Sequence, residues 1–203
     1  MPRPWFDHFR FVAPIYERVF DSDGADTRAL REMLALPVDG LLLDAGGGTG
    51  RVSRQVADAV QGVVVLDASR GMLTRVRGGN SVWPALGVAE ALPFPDGLFA
   101  RILIVDAFHH FYEHQQAVRE LWRVLAPGGR LVILEPNIER WQIKLIALAE
   151  TVLLMRSRFY SAPALEALFA RQENARVAAD VDSNPYQFTL VVEKLDQGSS
   201  GAA

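Results

Sequence analysis

Three carboxylates at the ends of apolar runs, one of them followed by a burst of glycine, hold the chemistry of this chain. Asp44 follows Leu41-Leu42-Leu43 and precedes Ala45-Gly46-Gly47-Gly48-Thr49-Gly50. An apolar run ending in an acid and a glycine turn reads as a buried parallel strand opening into a helix. Backbone N–H groups are bare there, and the helix end is positive, so a ligand can approach closely. The glycines at 46, 48 and 50 form G-x-G-x-G, whereas a dinucleotide site of the G-x-G-x-x-G type needs glycine at 51, where Arg51 stands. Asp67 closes the next apolar run, Val63 to Leu66, where an acid can accept bonds from both ribose hydroxyls of a nucleoside. Asp106 closes a third run, Ile102 to Val105; a capping acid for the following turn is the plainer alternative.

Histidines gather just beyond Asp106, at 109, 110 and 114. His110 and His114 are one helical turn apart, which would place them on one helix face. No third ligand stands at metal-binding spacing, so no metal site is expected. Cysteine is absent altogether, which excludes disulfides, thiolate metal sites and cysteine nucleophiles.

The elements that must position these groups alternate. Strands are expected at 40–44, 62–67, weakly near 81–87, at 100–106 and at 130–135. Helices are expected at about 50–60, 70–77 and 113–126. Alternation of this kind implies parallel pairing with right-handed crossovers in an open, doubly wound sheet. The runs are continuous rather than alternating, as strands covered on both faces require. Ala126-Pro127-Gly128-Gly129 ends a helix and turns the chain into the next strand. Further on, 174–181 and 187–195 flank Asp182-Ser183-Asn184-Pro185, which is turn chemistry for a closing hairpin. Before the first strand the chain reads as helical: Phe9, Val12, Ile15, Tyr16, Val19 and Phe20 recur at helical spacing. A second helix, capped by Asp26 or Thr27, stops before Pro37.

Length and charge bound the rest. With 203 residues, one domain over 1–195 with a flexible tail at 196–203 is expected. A net charge of −3 argues against a nucleic-acid partner held by phosphate contacts. The first residues lack an apolar core of signal-peptide length, so the cytoplasm is the expected address. Segment 140–158 is strongly apolar but interrupted by Gln142, Lys144, Glu150 and Thr151, too broken to span a bilayer. A buried helix, a lid over an apolar substrate or membrane surface, and a subunit interface are all open readings, and so are a monomer and a homodimer.

The series Leu43–Gly50, Leu66–Leu73, Glu90-Ala91-Leu92-Pro93-Phe94-Pro95-Asp96, Phe108-His109-His110-Phe111 and Glu120–Leu131 resembles class I S-adenosylmethionine-dependent methyltransferases. Phe11–Glu17 adds a looser likeness to the quinone-biosynthesis C-methyltransferase branch. The resemblance implies a Rossmann-like, mostly parallel seven-stranded sheet with helices on both faces and a C-terminal antiparallel hairpin. It implies S-adenosylmethionine as methyl donor and S-adenosylhomocysteine as product. Asp44 would orient the loop and the methionine amino group. Ala45, Gly46 and Gly48 would lie against the methionine and ribose, and Asp67, next to Ala68, would hold the ribose diol. Met72 would pack on the adenine, and Tyr16 would close over the cofactor. Two positions depart from the family pattern: Val88, before Ala89, stands where an acid usually bonds the adenine amine, and Ala100 replaces an aspartate.

The expected activity is methyl transfer to a small, apolar acceptor such as a quinone precursor or lipid-like metabolite. Residues 1–38 and a helical insertion at 138–172 would cover acceptor and cofactor. Asp106, facing the methyl, and His110 are the candidate bases if the acceptor must lose a proton. A catalytically silent cofactor-binding protein and a nicotinamide-dependent oxidoreductase are the alternatives.

Overall fold

The computed structural model describes residues 27–138, 157–180 and 186–196. Seven strands form one sheet: β1 (Leu41–Ala45), β2 (Gly62–Asp67), β3 (Val82–Leu86), β4 (Phe99–Val105), β5 (Leu125–Pro136), β6 (Ala175–Asp180) and β7 (Gln187–Lys194). Their order across the sheet is β3-β2-β1-β4-β5-β7-β6. The first five strands pair in parallel, while β7 lies antiparallel between β5 and β6. Chain direction across the sheet reverses between β1 and β4, so the crevice at their carboxyl ends is where this topology places a ligand.

Both faces of the sheet are covered, which explains the unbroken apolar runs. On one face Leu43, Ile102, Ile104, Leu131 and Ile133 pack with Phe108, Leu121, Leu165, Phe169 and Phe188. On the other, Leu42, Val63, Val65, Leu103, Val132 and Leu134 pack with Leu30, Leu34 and Val56. Consecutive strand residues thus feed opposite cores, and a polar residue on either face would be stranded. Helix α1 (Thr27–Met33) is tied down at its C-terminal end by arginines from the sheet. Arg101 donates to Leu34 O (2.5 Å) and Ala35 O (3.2 Å), and Arg130 donates to Met33 O (3.0 Å). Cations at the negative helix end satisfy carbonyls that the helix itself leaves open.

The remaining α-helices among the described residues are α2 (Arg70–Leu73), α3 (His114–Val124) and α4 (Ala162–Phe169). Three of the expected helices are shorter than their sequence patterns suggest. Over 50–60 the chain forms a 3-10 segment at Ser53–Ala59, because Gly50 sits at φ +69°, outside the α basin, and the loop delays the ladder. Helix α2 ends at Leu73 rather than near 77, ahead of Gly78 and Gly79. Helix α3 ends at Val124 because Leu125 is already extended, and β5 takes in Ala126–Gly129 through a register shift opposite Phe99–Arg101. The weakly patterned strand is β3, an edge strand, where Pro84 costs no ladder bond on its outer side. The C-terminal hairpin forms as β6 and β7; its turn at 182–185 lies outside the described residues, as do 1–26 and 139–156. No described helix is long and apolar enough to cross a membrane.

Candidate active site

The glycine loop after β1 folds onto β2 through its own backbone. Gly46 and Gly47 both donate N–H to Leu66 O, at 2.8 and 3.1 Å. Gly46 is at φ +76°, and a Cβ there would meet Ala107 Cβ at 2.6 Å. A Cβ on Gly47 would stand 2.4 Å from the Asp44 carboxylate. Only glycine lets the loop close this tightly over the acid. Asp44 is 2% exposed, and its Oδ2 has no hydrogen-bond partner among the described residues. Burial pushes its pKa up to about 7; the Ser53 hydroxyl pulls it back and the Asp67 charge adds to the rise.

Asp67 ends β2 and is fixed by backbone on both oxygens. Gly48 N–H donates to Oδ2 at 2.9 Å and Ser69 N–H to Oδ1 at 2.7 Å. Ser69 then caps α2, accepting Met72 N–H at 3.3 Å, which sets the Met72 side chain at the cavity edge. The loop after β3 supplies Gly87, Val88, Ala89 and Glu90. Glu90 Oε1 accepts Tyr112 N–H at 2.5 Å and Glu113 N–H at 3.2 Å, joining this loop to the one after β4.

The wall after β4 is built differently. Asp106 adopts φ +50°, a left-handed conformation that costs a non-glycine residue free energy. The turn that follows is gripped by Glu135 at the end of β5. Glu135 Oε1 accepts Ala107 N–H (3.0 Å) and Phe108 N–H (2.8 Å), and Oε2 lies 2.6 Å from His109 Nδ1. Glu135 and His109 are each 4% exposed, so the pair is buried. The His109 ring stacks on Phe159 at 4.4 Å. Gln187 Nε2, from β7, reaches Asp106 Oδ1 at 3.3 Å. Burial first, then the Glu135 charge, raises the Asp106 pKa to about 6, against opposing effects of His109, Gln187 and Arg51. His110 is pulled the other way: burial and the neighbouring His109 lower it to about 3, so its ring stays neutral. Its Nδ1 lies 3.1 Å from the Ser157 hydroxyl.

These groups surround one cavity of about 160 Å³. Asp44, Gly46, Gly48, Asp67, Ala68, Met72, Val88, Ala89, Asp106 and His110 all line it. Ala45 does not, because its side chain is fully buried in the core beneath the loop. Tyr16 lies outside the described residues. Motif reading gave no site role to Arg51, Glu90, Phe111 and Tyr112, which line the same cavity, or to Glu135 and Gln187 behind it. Glu135 carried a usable signal: it is one more acid closing an apolar run, Leu131 to Leu134, like Asp44, Asp67 and Asp106. Gln187 carried none. Among the described residues no cluster could hold a metal ion.

The donor set fits a cationic nucleoside. A glycine cradle admits close approach, an orphaned buried carboxylate oxygen offers itself to an ammonium, and a strand-end acid stands one strand over. A seven-stranded sheet with this order and this crevice is the architecture that the sequence resemblance implies. Residues 43–133 match the methyltransferase domain family, in line with the resemblance to S-adenosylmethionine-dependent methyltransferases. It is 37% identical over 139 residues to the demethylmenaquinone methyltransferase of Thermus thermophilus, covering 63% of each chain. With the demethylmenaquinone methyltransferase of Mycolicibacterium vanbaalenii it shares 32% identity over 168 residues, 83% of this chain and 65% of that one. The chain thus spans less than two thirds of the length of either relative. A SAM-dependent methyltransferase structure from Thermotoga maritima superposes with a TM-score of 0.72 at 21% identity, over 92% of this chain and 98% of that one. At that identity the likeness speaks for the fold alone.

Proposed function

We propose that this chain transfers a methyl group from S-adenosylmethionine to a small apolar acceptor, a hydroxylated aromatic ring of the quinone-precursor kind. The observation that carries the reading is a buried Asp44 oxygen, unpartnered among the described residues, beneath a glycine cradle whose next strand ends in Asp67. The curated relatives' names, demethylmenaquinone methyltransferases, support the acceptor class.

The bound cofactor supplies an electrophilic methyl on a positive sulfur. Asp44 meets the methionine ammonium, and Asp67, held by Gly48 and Ser69 N–H, takes the ribose hydroxyls. Met72, Val88 and Ala89 make an apolar slot for the adenine. Asp106 serves as general base: a pKa of about 6 leaves it mostly ionised at pH 7 yet able to take a proton. His110, held near 3, stays a neutral wall of the cavity and a hydrogen-bonding group rather than the base. Holding acceptor and methyl in line accounts for up to about 7–11 kcal/mol of barrier in well-oriented systems.

Calorimetric titration with S-adenosylhomocysteine tests the first half of the reading. Binding in the micromolar range is expected, and a dinucleotide that binds while S-adenosylhomocysteine does not would reverse it. Transfer of a labelled methyl group to reduced demethylmenaquinone tests the second half.

A further inference from the structure

We propose that Asp106 is the residue by which the cleft tells the methylated cofactor from its demethylated product, through the charge on sulfur. The inference rests on the functional reading above. S-Adenosylmethionine carries one positive charge more than S-adenosylhomocysteine and is otherwise alike in the parts that a nucleoside cradle recognises. Discrimination between them therefore needs a group whose interaction changes with that charge.

Four acids line the cleft, and three of them are already committed. Asp67 holds two backbone N–H groups, Glu90 holds two more, and Asp44 lies under the glycine loop, on the side of an amino-acid ammonium that both ligands carry. The Asp106 carboxylate has one hydrogen bond among the described residues, a long one of 3.3 Å from the Gln187 amide. Apart from Asp44, whose Oδ2 has no partner among the described residues, it is the acid least compensated by direct donors. It also sits on the β4 side of the crevice, across from the ribose acid on β2. The charged groups around it are Glu135 from β5, His109 from its own turn and Arg51 from the glycine loop, with the Gln187 amide reaching in from β7. Its left-handed backbone is held by the Glu135 grip on the next two N–H groups, so its position is fixed rather than adaptable.

Because burial and Glu135 leave Asp106 titrating near 6, the carboxylate is shared between its two forms in mildly acid solution. A positive sulfur nearby favours the ionised form and expels the proton, whereas a thioether does not. Preference for the methylated cofactor over the product then grows as pH rises through 6. Asp44, raised to about 7, answers to the common ammonium, gives both ligands the same pH dependence and cancels from their ratio.

The test is calorimetry of the full chain with S-adenosylmethionine and S-adenosylhomocysteine at pH 5, 6 and 7. Each titration is repeated in two buffers of contrasting ionisation enthalpy. The ratio of the two dissociation constants should move towards the methylated cofactor, by about tenfold for each unit by which the sulfur charge lowers the Asp106 pKa. Near pH 6 the methylated cofactor should release the larger fraction of a proton. In Asp106→Asn the ratio should become independent of pH. The wild-type proton count decides by itself should that variant not fold. Two ligands that both bind, with a constant ratio and equal proton release, overturn the inference. Failure of both to bind overturns the cofactor reading instead.

Discussion

The two walls of the cleft are made by different means. The wall from β1, β2 and β3 is backbone: glycines that leave room, N–H groups that fix Asp67, and a strand-end acid under a turn. The wall from β4, β5 and β7 is held by distant side chains, with Glu135 and Gln187 reaching a turn 26 to 81 residues away in sequence. Backbone walls tolerate little variation in residue type and so leave a signature in sequence. Side-chain walls can be assembled from any strand that passes nearby.

Four substitutions sharpen that contrast, from the largest effect to the smallest. Glu135→Ala leaves two buried N–H groups and a buried imidazole without their acceptor, so stability should fall by about 3–5 kcal/mol. Urea denaturation measures the loss, and Glu135→Gln should recover much of it, because the amide oxygen can still accept both N–H groups. A loss below 1 kcal/mol would mean that the β4 wall does not depend on this side chain.

Asp67→Ala should act on the other wall and chiefly on binding. The two N–H groups it frees are only part-buried, and water can reach them. Affinity for S-adenosylhomocysteine should drop about a hundredfold, near 2.7 kcal/mol, with an essentially native fold. Unchanged affinity by calorimetry would remove the ribose role from Asp67.

Asp44→Asn should set stability against function. The folded chain keeps a proton on Asp44 up to about pH 7, whereas the unfolded chain releases it near the ordinary value of 3.8. Stability owed to that proton is complete below pH 4 and is lost as pH rises through 7. The asparagine variant lacks this slope, so without cofactor it should exceed the wild type by about 1–3 kcal/mol at pH 8 while binding cofactor more weakly. Thermal melts from pH 4 to 8 would show the two curves diverging upward in pH; parallel curves would contradict the buried-acid account. The smallest effect belongs to Val88→Asp, which restores an acid beside the adenine slot. Affinity should rise by about threefold, and a fall would show that the slot here is purely apolar.

Sequence reading went far on the first wall and less far on the second. Asp44, Asp67 and the glycines announced themselves because the loop needs missing side chains and strand-end acids at fixed places. The parallel sheet was legible from continuous apolar runs, since each strand feeds two cores. Helix lengths were not, because Gly50 and the extended Leu125 end or delay ladders whose apolar period carries on regardless. Ala45 was assigned with its neighbours to the cofactor, yet strand pleat turns its side chain into the core. His110 looked like a base by type; burial and a neighbouring imidazole lower its pKa to about 3, so its ring is neutral.

The amide of Gln187 belongs to the last strand in chain order and rests on Asp106, just past the fourth. During synthesis the cofactor loop and Asp106 leave the ribosome well before that strand does. In a nascent chain the first wall is therefore synthesised while the second still lacks its final support. The second wall is then completed later than the first, by the time needed to make roughly eighty residues at 5–20 per second.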